Sequence, residues 1–224
     1  MSADFAERRV KMVDGQVRTT DVTNSSLIAA MLSVPREEFV DTQRVSLAYI
    51  DEDIQIAPAT GDSGPRYLME PSPFAKLVQL AEIKADDFVL DVGCGTGYSS
   101  AVLSRLATSV VALESNHELA ERATRTLSEL GFDNVAVIEG ALPQGHAAEA
   151  PYDVILIGGA VGEVPEKLLE QLKEGGRLVA VEGYGNAGVA RVYTKADGVV
   201  TGRRAFNAAI KPLPGFERAA EFQF

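Results

Sequence analysis

A glycine-rich segment near the middle of the chain restricts the fold more than any other feature of the sequence. The run Leu90 to Tyr98 reads Leu-Asp-Val-Gly-Cys-Gly-Thr-Gly-Tyr, so that an apolar stretch leads into three glycines separated by single residues. The apolar residues Phe88 to Val92 predict a buried strand, and the glycines predict a tight turn into a helix that runs through Ala107. A strand, a glycine turn and a helix in this order are typical of a βαβ unit in a parallel sheet.

The chain after this turn continues to alternate short apolar runs with amphipathic segments, which predicts a doubly wound α/β sheet. The clearest helix begins after Asn116, a favourable N-cap, and ends at Gly131, with leucines along one face. A further helix is predicted near Pro165, because proline suits a first helical turn. Strands are predicted over Ser109 to Leu113, Val135 to Ile138, Val154 to Ile157 and Arg177 to Val181, and an antiparallel pair over Ala190 to Lys195 and Phe206 to Ile210, joined around Asp197 and Gly198.

The residues ahead of this core have a different pattern. Apolar residues at helical spacing from Asn24 to Ser33, stopped by Pro35, predict a short helix capped by Asn24 or Ser25. The run from Ala57 to Gly64 is rich in Pro, Gly, Asp and Ser and predicts an exposed loop. We therefore expect an N-terminal helical extension over residues 1–80 and a core over residues 81–224.

Composition excludes several classes of function. The chain has 21 Lys and Arg against 32 Asp and Glu, a formal net charge of -11, which disfavours a nucleic-acid partner because phosphate contacts need basic residues. A single cysteine, Cys94, cannot form an intrachain disulfide, and two distant histidines offer neither zinc spacing nor a nucleophilic triad. The longest apolar runs are far below the ~20 residues needed to cross a bilayer. These features predict a cytoplasmic protein without a membrane partner.

The glycine turn and two acidic residues predict a cofactor site. Asp91 lies two residues ahead of the first glycine. Glu114 lies 23 residues after Asp91, at the end of the second predicted strand. A carboxylate there can accept both hydroxyls of a ribose. A dinucleotide fingerprint needs Gly or Ala where Tyr98 stands, which disfavours a nicotinamide dehydrogenase. The plain alternatives are a purely structural turn and a solvated charge at Glu114. The GxGxG turn with Asp91 resembles the first motif of the class I S-adenosylmethionine methyltransferases.

Blocks on both sides of the turn narrow the resemblance. They are Leu32 to Val40, which contains Val-Pro-Arg-Glu-Glu-Phe, Ala48 to Asp51, Ala150 to Asp153, Val164-Pro165, and Leu168 to Val179. In this order and spacing they resemble the protein-L-isoaspartate O-methyltransferase family over nearly the whole chain. The first block is rather specific to that family, whereas the last is shared more widely among methyltransferases and supports the fold more than the substrate.

This resemblance implies both a fold and a reaction. The fold is a Rossmann-like, doubly wound class I methyltransferase sheet, with an N-terminal helical extension that carries the acceptor loop and with C-terminal antiparallel strands. The reaction is methyl transfer from S-adenosyl-L-methionine, giving S-adenosyl-L-homocysteine, to the α-carboxyl of an isoaspartyl residue in a damaged protein or peptide. An α-carboxyl with a reference pKa of about 3.3–3.7 is ionised at pH 7, so no general base is required. The rate of transfer then comes mainly from holding the carboxylate oxygen in line with the methyl group and the sulfur of the cofactor.

The chain departs from the family pattern at three places. The family's acceptor loop reads Gly-Gln-Thr-Ile-Ser-Gln-Pro, where this chain has Pro65 to Pro71, with Tyr67 for Thr and Met69 for Ser. Ala141 stands where the family has an Asp that contacts adenine, which leaves adenine to backbone groups or to Glu139. Gly158-Gly159-Ala160 replaces the usual Thr-Ala-Ala. The scaffold motifs remain, so that the chain is interpreted as a diverged member.

Site residues follow from these positions. In the acceptor loop, the Tyr67 hydroxyl can donate a hydrogen bond and Arg66 can pair with a carboxylate in a fork geometry, and these two are the predicted catalytic residues. The alternative is that Met69 packs and Arg66 is solvated. Leu68, Met69 and Glu70 are predicted to bind the substrate. The predicted cofactor-binding residues are Asp91, Gly93, Cys94, Gly95, Tyr98, Glu114, Ser115, Gly140, Ala141 and Leu142, with Cys94 limited to backbone contact.

Two other functions remain open on the sequence. The altered loop could accept a different carboxylate, on a small molecule or a peptide. The chain could also bind S-adenosylmethionine or its product without turnover. No metal ligand set is predicted.

Overall fold

The computed structural model describes residues 2–61 and 64–216 of the chain. The α-helices are α1 (Ser2–Met12), α2 (Ser25–Ser33), α3 (Pro71–Leu80), α4 (Tyr98–Ser104), α5 (His117–Glu129) and α6 (Glu166–Glu170). The strands are β1 (Ile54–Ala57), β2 (Arg66–Leu68), β3 (Phe88–Val92), β4 (Ser109–Glu114), β5 (Val135–Glu139), β6 (Tyr152–Val161), β7 (Leu172–Glu182), β8 (Val189–Ala196) and β9 (Val199–Asn207).

Seven strands form one sheet in the order β5-β4-β3-β6-β7-β8-β9. Strands β3 to β7 pair in parallel, and β8 and β9 add an antiparallel hairpin at the edge. The predicted doubly wound α/β class with C-terminal antiparallel strands is therefore confirmed. The chain leaves β3 towards β4 on one side and returns to β6 on the other, so that the strand order reverses at β3. In open α/β sheets, ligands bind at such a reversal, beyond the carboxyl ends of the strands.

Both faces of the sheet are buried along the central parallel strands β3, β4 and β6, as a parallel sheet requires. Successive residues of β3 point to opposite faces: Val89 packs with the N-terminal helices, α3 and α4, whereas Leu90 packs with Leu168 of α6 and with Leu213. Residues from Met12 to Ile210 share the first of these two cores. The predicted boundary near residue 80 stays a prediction.

Most elements begin where the sequence predicts them. Helix α2 starts after Asn24, whose side chain accepts a hydrogen bond from Leu27 N. Helix α4 ends at Ser104 rather than Ala107, and the strands β6 and β7 extend beyond the predicted runs. The hairpin β1–β2 was not predicted, because each of its strands has only three or four residues. Residues 62 and 63 of the predicted loop lie outside the described residues.

The predicted last strand, Phe206 to Ile210, is wrong. Asp197 and Gly198 both have positive φ, 52° and 75°, which is a two-residue turn of the type that matches strand twist. Pairing therefore resumes at once, with Val199 opposite Ala196, and β9 ends at Asn207. In the described part of the chain, no helix combines the length and the apolar character that a bilayer crossing demands.

Candidate cofactor and acceptor site

The glycine turn lies at the carboxyl end of β3, at the reversal of strand order. Gly93, Gly95 and Gly97 have φ values of +84°, +58° and +97°, a region in which side chains with a Cβ are strained. The amides of Gly93 and Cys94 both donate to the Leu113 carbonyl, at 2.8 and 3.2 Å, which ties the turn to β4. The three glycines are thus required by backbone conformation, and also by the close approach of the side chains of Leu213, Ile56 and Leu127.

Asp91 supplies a buried carboxylate beneath the turn. Its Oδ2 accepts hydrogen bonds from the hydroxyls of Ser99 and Ser100, both at 2.6 Å. Its Oδ1 is buried and has no hydrogen-bond partner among the described residues. Burial raises the pKa of Asp91 to about 6, although the two hydroxyls oppose that shift. A buried acceptor without a partner fits the amino group of a bound amino-acid moiety, since buried polar groups are otherwise hydrogen-bonded.

Glu114 is completely buried at the end of β4, which excludes the solvated charge considered from the sequence. Its carboxylate accepts hydrogen bonds from the amides of Gly95 at 2.8 Å, Ser115 at 2.8 Å and Asn116 at 2.9 Å. The glycine turn and the acid predicted 23 residues later therefore meet in one place. This arrangement fits a ligand that carries a diol beside an amino-acid group.

Arg66 lies in the same place. Its side chain is 5% exposed and forms a salt bridge with Glu114 through Nη1. Its Nη2 donates to the Gly93 carbonyl at 3.2 Å. The alternative of a solvated Arg66 is therefore wrong. The cause is the hairpin β1–β2, which covers the turn: a Cβ on Gly95 would lie 2.7 Å from Cδ1 of Ile56.

Tyr98 and Arg36 connect the turn to the acceptor segment. The Tyr98 ring is buried against Phe39, and its centroid lies 4.7 Å from Cζ of Arg36. Arg36 is itself fully buried, which lowers its pKa, and it donates to the carbonyls of Ala48 at 2.8 Å and Met69 at 2.7 Å. The Val-Pro-Arg-Glu-Glu-Phe block thus anchors the acceptor segment on the helix that follows the glycine turn.

A pocket joins the two predicted half-sites. Tyr67, Leu68 and Met69 line it from the acceptor side, and Gly93, Cys94 and Tyr98 line it from the turn. A second, adjoining pocket is lined by Arg66, Tyr67 and Met69 together with Asp53, Lys211 and neighbouring residues. Cys94 is buried and its pKa is raised well above the ordinary value of a thiol, so it is unsuited to act as a nucleophile.

The remaining predicted residues surround Glu114 and the end of β5. Ser115 donates to Glu114 through its amide, and Gly140 N donates to the Glu114 carbonyl at 2.9 Å. Ala141 is exposed and precedes a short 3-10 turn in which Leu142 is buried. Glu139, the alternative adenine partner, is exposed and pairs with Nδ1 of His117 at 2.8 Å. Glu70 follows β2, where its amide donates to Asp53 at 3.0 Å. The roles assigned to these residues stay predictions.

Sequence reasoning missed the segment that follows β9. The Ala160 amide donates to the Lys211 carbonyl at 2.9 Å, and the Leu213 amide donates to the Ala160 carbonyl at 2.8 Å. A Cβ on Gly159 would lie 2.8 Å from Cβ of Leu213. The Gly158-Gly159 departure, which the structure places within β6, was the available signal, because it accommodates this close approach. The segment brings Lys211 beside the acceptor residues, 5.5 Å from the Tyr67 ring.

Comparison with protein families gives a match over almost the whole chain. A family profile described as protein-L-isoaspartate(D-aspartate) O-methyltransferase matches residues 7–215. A protein-L-isoaspartate O-methyltransferase from Koribacter versatilis is 36% identical over 211 residues, which are 94% of this chain and 92% of that relative.

Solved structures agree with the fold described above. A protein-L-isoaspartate O-methyltransferase superposes with a TM-score of 0.79 at 28% identity over 92% of this chain, which spans 65% of that structure's length. A Plasmodium falciparum protein described as a β-aspartate methyltransferase, in complex with S-adenosyl-L-homocysteine, has a TM-score of 0.76 at 21% identity. It covers 92% of this chain and 98% of its own, and at that identity it supports the fold.

Proposed function

Because this chain belongs to the protein-L-isoaspartate(D-aspartate) O-methyltransferase family, we propose that it transfers a methyl group from S-adenosyl-L-methionine to the α-carboxyl of isoaspartyl residues in proteins or peptides. The observation that carries the proposal is a single junction at the end of β3. There the glycine turn, Asp91 and Glu114 meet the acceptor segment that contains Arg66 and Tyr67. The product, S-adenosyl-L-homocysteine, has the same amino-acid and ribose groups as the cofactor, so we expect it to bind at the same junction.

The cofactor half of the site has residues that match the chemical groups of S-adenosyl-L-methionine. The buried Asp91 carboxylate is suited to the amino group, and Glu114 is suited to the ribose hydroxyls. The backbone of the glycine turn is suited to contact the part of the cofactor that joins these two groups. When bound, the cofactor supplies a methyl group activated by a sulfonium, and the protein supplies orientation.

The acceptor half offers two cations, with the carboxyl group of Asp53 beside them. Arg66, Tyr67 and Lys211 line one polar pocket, and the guanidinium and ammonium groups are suited to an ionised carboxylate. Asp53 lies in the same pocket, where burial raises its pKa and Lys211 opposes that rise. The family's Ser hydroxyl is replaced by Met69, so we assign acceptor binding to Arg66, Tyr67 and Lys211. Because the acceptor is ionised at neutral pH, the rate comes from positioning its oxygen and excluding water.

The finer properties are also proposals. The family's acceptor is a protein carboxylate, and the net charge of -11 supports neither nucleic acid nor an anionic membrane surface as a partner. A cytoplasmic location is supported by the single cysteine, whose thiol is free and buried. Methylation of another carboxylate and cofactor binding without turnover are the less favoured functions.

The test is transfer of labelled methyl from S-adenosyl-L-methionine to matched peptides that contain isoaspartate or normal aspartate at one position. We expect label in the isoaspartyl peptide alone, released slowly as the ester closes to a succinimide. A folded preparation that binds S-adenosyl-L-homocysteine but labels neither peptide contradicts the proposed acceptor. A preparation that also fails to bind S-adenosyl-L-homocysteine contradicts the proposed cofactor.

A further inference from the structure

Donors from the protein are unequally divided between the two oxygens of the Glu114 carboxylate. A carboxylate has about four lone-pair positions for donors. Among the described residues, Oε1 accepts from the amides of Ser115 and Asn116 and from Nη1 of Arg66, whereas Oε2 accepts from the Gly95 amide. In addition, the Ser115 hydroxyl lies 3.4 Å from Oε1. One ribose hydroxyl can bind at the open position on Oε2, but a second hydroxyl can reach Oε1 only in place of Arg66.

Arg66 is the one member of this set that can leave. The three amides belong to the glycine turn and the end of β4, where the backbone is fixed by pairing with its neighbours. Arg66 reaches Glu114 through a long side chain from β2, and its guanidinium also borders the polar pocket that contains Tyr67 and Lys211. The same group therefore lies between the proposed ribose partner and the proposed acceptor pocket.

We propose that Arg66 is an internal competitor for the ribose subsite: cofactor binding displaces its guanidinium from Glu114, and the displaced guanidinium then binds the acceptor carboxylate. This inference rests on the proposed function and adds an order to it, since the acceptor site is completed only after the cofactor is bound. Apparent cofactor affinity is reduced by the fraction of molecules in which Arg66 is paired with Glu114.

The decisive measurement is calorimetric binding of S-adenosyl-L-homocysteine to the full chain and to Arg66→Gln. Gln keeps a polar side chain of moderate length but cannot form the ion pair, and Glu114 retains its three amide donors. We expect Arg66→Gln to bind at least about 10-fold more tightly, equivalent to about 1.4 kcal/mol. Adenosine, which carries the ribose without the amino acid, is expected to gain a similar factor. Arg203→Gln, an exposed arginine on β9, is the matched control and is expected to bind as the original chain does.

Arg66→Lys provides a second variant. A lysine keeps the charge but cannot contact Glu114 and the Gly93 carbonyl together in a fork geometry, so its affinity is expected to fall between those of Arg and Gln. In stopped-flow mixing, the observed association rate of the original chain is expected to level off with ligand concentration because Arg66 must first leave. That limit is expected to disappear in Arg66→Gln.

The outcomes separate this inference from the proposed function. Tighter binding by Arg66→Gln with a raised KM for the isoaspartyl peptide supports the exchange of partners. Unchanged or weaker binding by a folded Arg66→Gln overturns it, even if the original chain methylates isoaspartate. If neither chain binds S-adenosyl-L-homocysteine, both the proposed cofactor and this inference fail.

Discussion

Replacement of Glu114 by Gln is expected to destabilise the protein mainly by leaving Arg66 without its anion. The two side chains are 5% and 0% exposed, so that water cannot replace the lost partner. Removal of one member of a buried ion pair costs about 3–5 kcal/mol. For a chain of this size, 1 kcal/mol corresponds to about 2–4 °C in melting temperature, so we expect a fall of about 6–20 °C.

The pair itself contributes much less than this loss, and a double variant distinguishes the two quantities. In Arg66→Gln/Glu114→Gln neither member of the pair carries a charge, so most of the lost stability is expected to return, because no unpaired charge of this pair is left buried. Thermal and urea unfolding of the four proteins gives the coupling energy directly. A Glu114→Gln protein within 1 kcal/mol of the original, or a double variant no more stable than Glu114→Gln, would refute the reasoning.

Three further variants test other parts of the site. Asp91 has a pKa of about 6 against an ordinary 3.8, so the folded state binds the Asp91 proton more tightly than the unfolded state does. This proton therefore stabilises the folded state at about pH 4, and the stabilisation is lost as the pH rises through 6. The shift amounts to about 3 kcal/mol, and the melting temperature of Asp91→Asn relative to the original chain is expected to rise between pH 4 and 7; a constant difference contradicts this. Gly159→Ala is expected to cost about 1–3 kcal/mol in urea unfolding by pressing on Leu213, whereas Gly15→Ala, which meets nothing within 4 Å, is its control. Lys211→Met is expected to raise the KM for the isoaspartyl peptide with unchanged S-adenosyl-L-homocysteine affinity in calorimetry; an unchanged KM removes Lys211 from the acceptor site.

The parts of the fold that the sequence predicts are those governed by local periodicity. Strand β3 has the predicted limits, Phe88 to Val92, because a short apolar run bounded by charge and glycine is unambiguous. Helix α5 follows Asn116, whose side chain accepts from Leu119 N at 3.0 Å, as its sequence indicates. The meeting of Asp91 and Glu114 also follows, because parallel neighbours end at the same edge of a sheet.

The parts that the sequence does not predict depend on contacts between distant segments. The position of Arg66 is set by a hairpin of three or four residues per strand, too short for a clear alternation, so its partner 48 residues away could not be identified. The role of the segment around Leu213 is similar, because it adds a single bridge beside Ala160. In both cases the structure shows a side chain closing over glycines, and a sequence shows only the glycines.

The strand β9 bears on how copies of this protein meet one another. It is an edge strand of the sheet, so one row of its backbone amides and carbonyls has no strand beside it within the described residues. Such a row is a template for pairing with a second molecule. Adjacent arginines, Arg203 and Arg204, lie in the middle of β9 and are exposed. Because successive side chains of a strand point to opposite faces, antiparallel docking of two β9 strands about their centres would bring arginines of the two copies near one another on both faces, and the like charges would disfavour such docking.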